Sequence, residues 1–290
     1  MNLIIHDEKQ GKEVNRRMSD DNFMQGFTPE LGKTLHWTNS SNVLCNYMKK
    51  QEYLDMVLRN KAIIPRYVIE PIGYLNIGSI QRICFPMTCF CDIPFSRVGT
   101  HMSRYGEYGI GLDKVAVLKN YRIQPIHYMN ENSPLIDDFK EAFLKFYNAE
   151  STPEELTTVL LDYLVSTLMY MKPIWGQEKN KDGNLENYVY QDECEWRYIP
   201  ADDFPSELRP IVLKQRETTE KGRDAYSIAL AKHKECWLSF NWSEVRYLMV
   251  PDEHAVKNTI STIETLKMED SEKHLLISKI EISRRFSDNM

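Results

Sequence analysis

Ile83-Cys-Phe-Pro-Met-Thr-Cys-Phe-Cys91 carries no charge, is rich in β-prone side chains and ends at the turn signal Asp92-Ile-Pro94. A short apolar run bounded in this way reads as a buried strand. On its C-terminal side, Ser96 to Tyr105 is expected to be a short helix. Tyr108-Gly-Ile-Gly-Leu112 is a second strand, whose glycines imply close backbone approach or a bulge. Upstream lies a loop with Pro71, Gly73 and Gly78. Before it, Val43, Leu44, Tyr47 and Met48 share one helical face, continued by Leu54, Val57 and Leu58 until Pro65 stops it, so a helix is expected there. Thr34-Leu-His-Trp-Thr38 is a short strand-like run, with Asn39-Ser-Ser41 as capping candidates for the helix that follows. Residues 1–33 form a polar lead-in without a sustained period.

Downstream, Ile123-Gln-Pro-Ile-His-Tyr-Met129 is a strand candidate, after which residues 134–172 change character. Ile136, Phe139, Phe143, Phe146 and Tyr147 form one helical stripe. Thr152-Pro-Glu-Glu155 supplies an N-cap, a Pro at the first helical position and a capping-box Glu for a second helix, with Leu156, Val159, Leu160, Tyr163, Leu164, Thr167, Leu168 and Met171 expected on its buried side. Together they predict a helical hairpin inserted into a strand-rich scaffold. Residues 176–187 read as a polar loop. Strands follow at Tyr188-Val-Tyr190, Glu193–Ile199, Trp237–Phe240 and Val245–Val250, with a last one near His274 to Ile282 after a helix from Asp252 to about Leu266. The class is α+β, with residues 34–290 as a single domain.

The chain has 290 residues, 42% hydrophobic and 27% charged, which excludes disordered and fibrous classes. Residues 132–205 carry 15 acids against 6 bases, while residues 36–131 carry 11 bases against 7 acids, so the front half suits an anionic ligand better. No stretch approaches the roughly 18 consecutive apolar residues of a membrane span. The N-terminus, Met1-Asn-Leu-Ile-Ile-His-Asp-Glu-Lys9, turns charged before a signal-type apolar region can form. A cytoplasmic protein with no membrane contact is expected, and the six cysteines, mostly inside apolar runs, fit reduced thiols there.

Several chemistries fail on spacing. Cys84, Cys89, Cys91 and His101 lack the Cys-x2-Cys knuckle of a zinc site, so no metal is expected. Tyr105-Gly-Glu-Tyr-Gly-Ile-Gly111 lacks the order of a dinucleotide fingerprint or a phosphate loop. Neither Ser96 nor Cys194 has an elbow sequence or a nearby His to activate it for acyl transfer. A metal-dependent nuclease would draw on Asp92, Asp113-Lys114 and Glu193/Glu195, which supply the residue types without the compact spacing. In the Glu193–Ile199 strand, period-two alternation puts Glu193, Glu195 and Arg197 on one face and Cys194, Trp196 and Tyr198 on the other. Carboxylates bordered by Trp, Tyr and Ile are costly to bury unpaired. Either that face is exposed, or Arg197 neutralises a Glu, or a ligand does.

Leu35-His-Trp-Thr38, Leu54–Pro65, Met87-Thr-Cys-Phe-Cys-Asp-Ile-Pro94, His101–Leu112 and Glu193-Cys-Glu-Trp-Arg197 together resemble the AbiGi family of abortive phage-resistance proteins, described as antitoxins. That resemblance implies phage defence in a bacterium, with a cognate operon partner that is a nucleotidyltransferase-like toxin. The order strand-His, helix, strand with a Ser-bearing helix, then strand-Glu is also similar to the His-Tyr-Glu arrangement of ADP-ribosyltransferases. This second resemblance implies a split antiparallel β-sheet, NAD as substrate, and transfer of ADP-ribose to a protein or nucleic-acid acceptor or hydrolysis of NAD. On it, His36 would bind a ribose hydroxyl, the Trp37 and Thr38 backbone would hold the nicotinamide amide, and Phe90, Ser96 and Tyr105 would lie in the segment that forms the nicotinamide shelf. Glu195 would stabilise the oxocarbenium-like transition state, with Glu193 as its substitute and Arg197 in the same NAD-contacting set. Phe90 and Cys91 stand where those enzymes carry a Tyr. The readings that follow are an NAD-dependent transferase, expected to bring His36 and Glu195 to one cleft, and an antitoxin that binds its partner without chemistry.

Overall fold

Uncharged runs of Val, Ile, Leu, Phe and Cys can be buried on both faces of a sheet, and such runs form its middle strands. The computed structural model describes residues 40–147, 154–179, 183–200 and 204–287, with the backbone alone at 154–158, 179 and 286–287. All of these belong to one unit, Asn39–Met290. The expected strand at 34–38 and the Thr152 cap lie outside the described residues.

In chain order the first elements are β1 (Val43–Met48), α1 (Gln51–Asn60), β2 (Ala62–Ile63), β3 (Arg66–Pro71), β4 (Arg82–Cys91), α2 (Gly99–Tyr105), β5 (Tyr108–Asp113) and α3 (Lys114–Asn120). The middle comprises β6 (Ile123–Pro125), β7 (His127–Met129), α4 (Pro134–Tyr147), α5 (Glu154–Met169), β8 (Met171–Pro173), β9 (Trp175–Lys179), β10 (Leu185–Val189) and β11 (Glu195–Tyr198). The C-terminal part adds α6 (Glu220–Leu230), β12 (Leu238–Ser239), β13 (Val245–Val250), α7 (Glu253–Glu264), α8 (Asp270–Ile277), β14 (Ile280–Ile282) and α9 (Arg284–Ser287). The main sheet has eight strands in the order β14-β13-β5-β1-β4-β11-β6, with β3 also on β4. Every pairing in it is antiparallel except β13 with β14. The α+β class and the C-terminal strands completing the sheet are as expected.

The run at 83–91 is indeed a strand, buried along nearly its whole length. It also ties two cores together. Phe90 packs with Leu44, Ile110, Leu112 and Leu248 under α1 and α7, whereas Ile83, Phe85 and Met87 pack with Phe139, Phe143, Leu164 and Leu168 of the helical hairpin. The glycines of β5 allow the close approach expected of them: a Cβ at Gly111 would lie 2.7 Å from Val43 Cγ1.

Four expectations are corrected. Residues 43–48 form a strand, not a helix, and are paired on both edges by β4 and β5. The same letters satisfy period two, with Leu44 and Met48 in one core and Val43 and Cys45 in another. Periodicity alone cannot separate the two for so short a run. The 123–129 strand is broken at Ile126: β6 joins β11, while β7 pairs in parallel with β8. The polar 176–187 loop is a β-hairpin, β9 with β10. The segment from His274 is helical first, and only 280–282 is strand. Among the described residues, no helix is long and apolar enough to cross a membrane.

Candidate functional site

Cross-strand register decides what faces the cleft. Glu195 lies opposite Cys91 and Arg197 opposite Cys89, while Trp196 lies opposite Phe90. Directly paired residues share a face, so Glu195 and Arg197 stand with the cysteines and Phe90 with Trp196 on the far side, in the first core. The Phe90 side chain therefore packs in the first core, while the residue also counts among those lining the cleft. Ser96 lies in the turn before α2, is exposed, and is not among the residues lining the cleft.

The cleft has a volume of about 1640 Å³ and is walled by Tyr47, His101, Tyr105, Tyr188 and Tyr190, with Glu193 and Glu195 at its floor. Glu193 does not continue the strand alternation. It ends a short 3-10 turn, and Cys194 takes a left-handed φ of 45° before β11 begins. The two carboxylates still meet, because Lys172 of β8 bridges them: its Nζ is 2.5 Å from Glu193 Oε2 and 3.1 Å from Glu195 Oε2. Lys172 is the first basic residue after Lys145 and follows a long apolar stretch, the one sequence signal that could have marked it.

Arg197 completes the network and is fully buried. Its Nε donates to Glu195 Oε1 at 2.7 Å, its Nη2 to Glu70 Oε2 at 3.1 Å and to Glu195 Oε2 at 3.3 Å, and its Nη1 to the Met169 carbonyl at 2.6 Å. Of the three ways to accommodate these carboxylates, neutralisation by Arg197 is the one observed, joined by Lys172 and Glu70. Burial alone would raise the Glu195 pKa, but the Arg197 and Lys172 charges outweigh it and hold it down to about 2. Burial would lower that of Lys172, yet Glu195, Glu70 and Glu193 push it well above the ordinary value. Lys172 is therefore held as the cation between the two carboxylates.

Aromatic hydroxyls finish the floor. Tyr105 donates to Glu193 Oε1, and the Glu195 amide donates to Tyr128 Oη at 2.8 Å. His101 sits between the rings of Tyr47 and Tyr105, with centroids 5.5 and 4.5 Å away. Burial drives its pKa to about 4, so it is neutral at pH 7. One wall is the β9–β10 hairpin. Its register turns Glu178, Glu186 and Tyr188 to the cleft and Trp175, Leu185 and Val189 outward. Arg104 of α2 holds that wall by pairing with Glu178 and lying 3.9 Å over the Tyr188 ring.

Of the sequence-predicted site, the structure brings together Tyr105, Glu193, Glu195 and Arg197. His36, Trp37 and Thr38 lie outside the described residues, so their meeting with Glu195 is not among its findings. Residues that sequence reasoning missed are Lys172, Glu70, Tyr128, His101 and the Arg104–Glu178 pair. The nuclease constellation is not assembled in the cleft. Asp113 caps α3 through the Ala116 amide at 2.8 Å and binds Arg246, while Asp92 and Lys114 pair with each other at 2.5 Å, and none of the three is among the lining residues. Among the described residues, no group of three His, Cys, Asp or Glu side chains is placed to hold a metal ion. Burial lifts the Cys45 thiol to about 12 and those of Cys89 and Cys91 well above the usual range.

Residues 61–251 match the family model of the abortive phage resistance protein AbiGi, described as an antitoxin. The chain is also 32% identical over 241 residues to the abortive phage resistance protein AbiGi of Lactococcus lactis subsp. cremoris, an alignment covering 76% of this chain and 96% of that protein. No solved structure matches the chain.

Proposed function

Since the chain belongs to the AbiGi family of abortive phage resistance proteins, we propose that within anti-phage defence it acts as an antitoxin, restraining a nucleotidyltransferase-like toxin in the cytoplasm by binding it. The observation that carries this reading is the state of Glu195. The carboxylate is 7% exposed and both of its oxygens are held by Arg197 and Lys172. A transferase glutamate must instead offer an oxygen to a ribose hydroxyl. Three cations of the floor and wall are likewise matched to carboxylates, Lys172 to Glu193 and Glu195, Arg197 to Glu195 and Glu70, Arg104 to Glu178, while Lys49, which also lines the cleft, is exposed and makes no ion pair among the described residues. Such a set supports a structural role for the network and gives little to a pyrophosphate.

Co-expression with the toxin tests the proposal. Growth arrest by the toxin should be relieved while purified protein leaves NAD intact. NAD turnover or ADP-ribose transfer that disappears in Glu193→Gln and Glu195→Gln would overturn it. A second reading, NAD-dependent ADP-ribosyl transfer, draws support from Tyr105, Glu193 and Glu195 lining one aromatic cleft. On that reading His36, Trp37 and Thr38 would complete the NAD site, and the same assay decides between the two.

A further inference from the structure

The outer side of α5 exposes two large apolar side chains, Val159 and Tyr163, where a solvent-facing helix is ordinarily polar. Its sequence from Glu154 to Met169 distributes Leu, Val, Tyr and Met all round the helix, a pattern of helices covered on every side. One side is covered: Leu164 and Leu168 are buried in the core shared with α4 and β4. The other is open. Val159, Asp162, Tyr163 and Ser166 follow one another at helical spacing and all are exposed, Val159 at 62% and Tyr163 at 65%.

Charge on this stretch has a single sign. Between Lys145 and Lys172 the chain holds Glu150, Glu154, Glu155 and Asp162 and no Lys, Arg or His. Asp162 stands between Val159 and Tyr163. A second copy docking through the same face would set carboxylate against carboxylate, and an anionic membrane surface is disfavoured for the same reason. A partner that meets Val159 and Tyr163 with apolar side chains and frames them with lysine or arginine is complementary in both respects.

We propose that the Val159–Ser166 face of α5 is the surface on which the toxin docks, through an apolar patch rimmed by basic residues. This inference rests on the antitoxin reading and gives it a place on the molecule. The test uses the full chain and the purified toxin of the same operon, with binding followed at two salt concentrations. The double variant Val159→Lys with Tyr163→Lys, and separately Asp162→Lys, should each weaken binding by about tenfold or more, the loss expected when an exposed anchor is removed from an interface. Wild-type binding should weaken as salt rises. Both substitutions are at exposed positions, and an unchanged melting curve shows that the fold is intact. Binding at full affinity by both variants overturns the surface while leaving the antitoxin reading in place. A wild-type dimer that the variants convert to monomer also overturns it, by making a second copy the occupant. A wild-type protein that relieves toxicity without binding the toxin removes the antitoxin-by-binding reading itself, and this surface with it.

Discussion

Glu195 and His101 share one cleft and set the acid response of the fold in two separate windows. His101 has a folded pKa of about 4 against an ordinary 6.5, so between those values the unfolded chain binds the extra proton. Its contribution is complete above about pH 6.5 and is lost as pH falls toward 4. Glu195, held at about 2 against an ordinary 4.5, contributes stability that is present above about pH 4.5 and lost as pH falls through 2, on the order of 3 kcal/mol. Thermal melts across this range should therefore begin to drop below about pH 6.5. In His101→Phe the drop should start only near pH 4.5, where Glu195 of the unfolded chain begins to take up a proton while the folded carboxylate is still ionised. Glu195→Gln should lower stability by about 3 kcal/mol at pH 7, because Arg197 and Lys172 then lose the carboxylate between them. A Glu195→Gln protein with a wild-type melting temperature would show that this network is not braced as the distances indicate.

Elements of this fold differ in what holds them, and the β9–β10 hairpin is paired to no strand of the main sheet. A two-stranded ribbon is marginal on its own, and its outward face carries exposed Trp175, Leu185 and Val189. Its inner face depends on Arg104, which reaches from α2 to Glu178 and Tyr188, and on Gly176, where a Cβ would come within 2.7 Å of the Tyr190 ring. Arg104→Ala should raise amide exchange across Trp175–Val189 while costing only about 1 kcal/mol or less globally, as expected for a partly exposed ion pair. Unchanged exchange there would mean that backbone pairing alone fixes the hairpin. This was also the element that sequence reading missed. Its cleft side carries Glu178, Glu186 and Tyr188, and a ribbon that faces a polar cleft lacks the apolar alternation that marks a strand. The opposite failure occurred at 43–48, where an apolar run fits both periods. Where burial was one-sided and long, in the Phe139–Tyr147 stripe, or continuous and bounded by turns, at 83–91, the pattern determined the element. For the site, Glu193, Glu195, Arg197 and Tyr105 were legible as chemistry-bearing residues. Lys172, Glu70 and Tyr128 come from other elements, and only the folded register brings them to that floor.

At the scale of the whole molecule, β4 is the member that two cores have in common. Its C-terminal end contributes Phe90 to the core under α1 and α7, and its N-terminal end contributes Ile83, Phe85 and Met87 to the core under the helical hairpin. A strand cannot stay paired at one end and lose its packing at the other without exposing uncharged side chains along its length, so the two cores should melt together. Leu44→Ala and Phe143→Ala, both at fully buried positions in different cores, should each cost about 3–5 kcal/mol through the cavities they leave. Each should shift a single transition to lower temperature. Calorimetry together with circular dichroism measures this: coincident transitions in both variants fit a shared strand. A second, earlier transition in Phe143→Ala, with the main one left at its wild-type temperature, would instead show that the helical hairpin unfolds as a separate unit and that β4 does not couple it to the rest of the sheet.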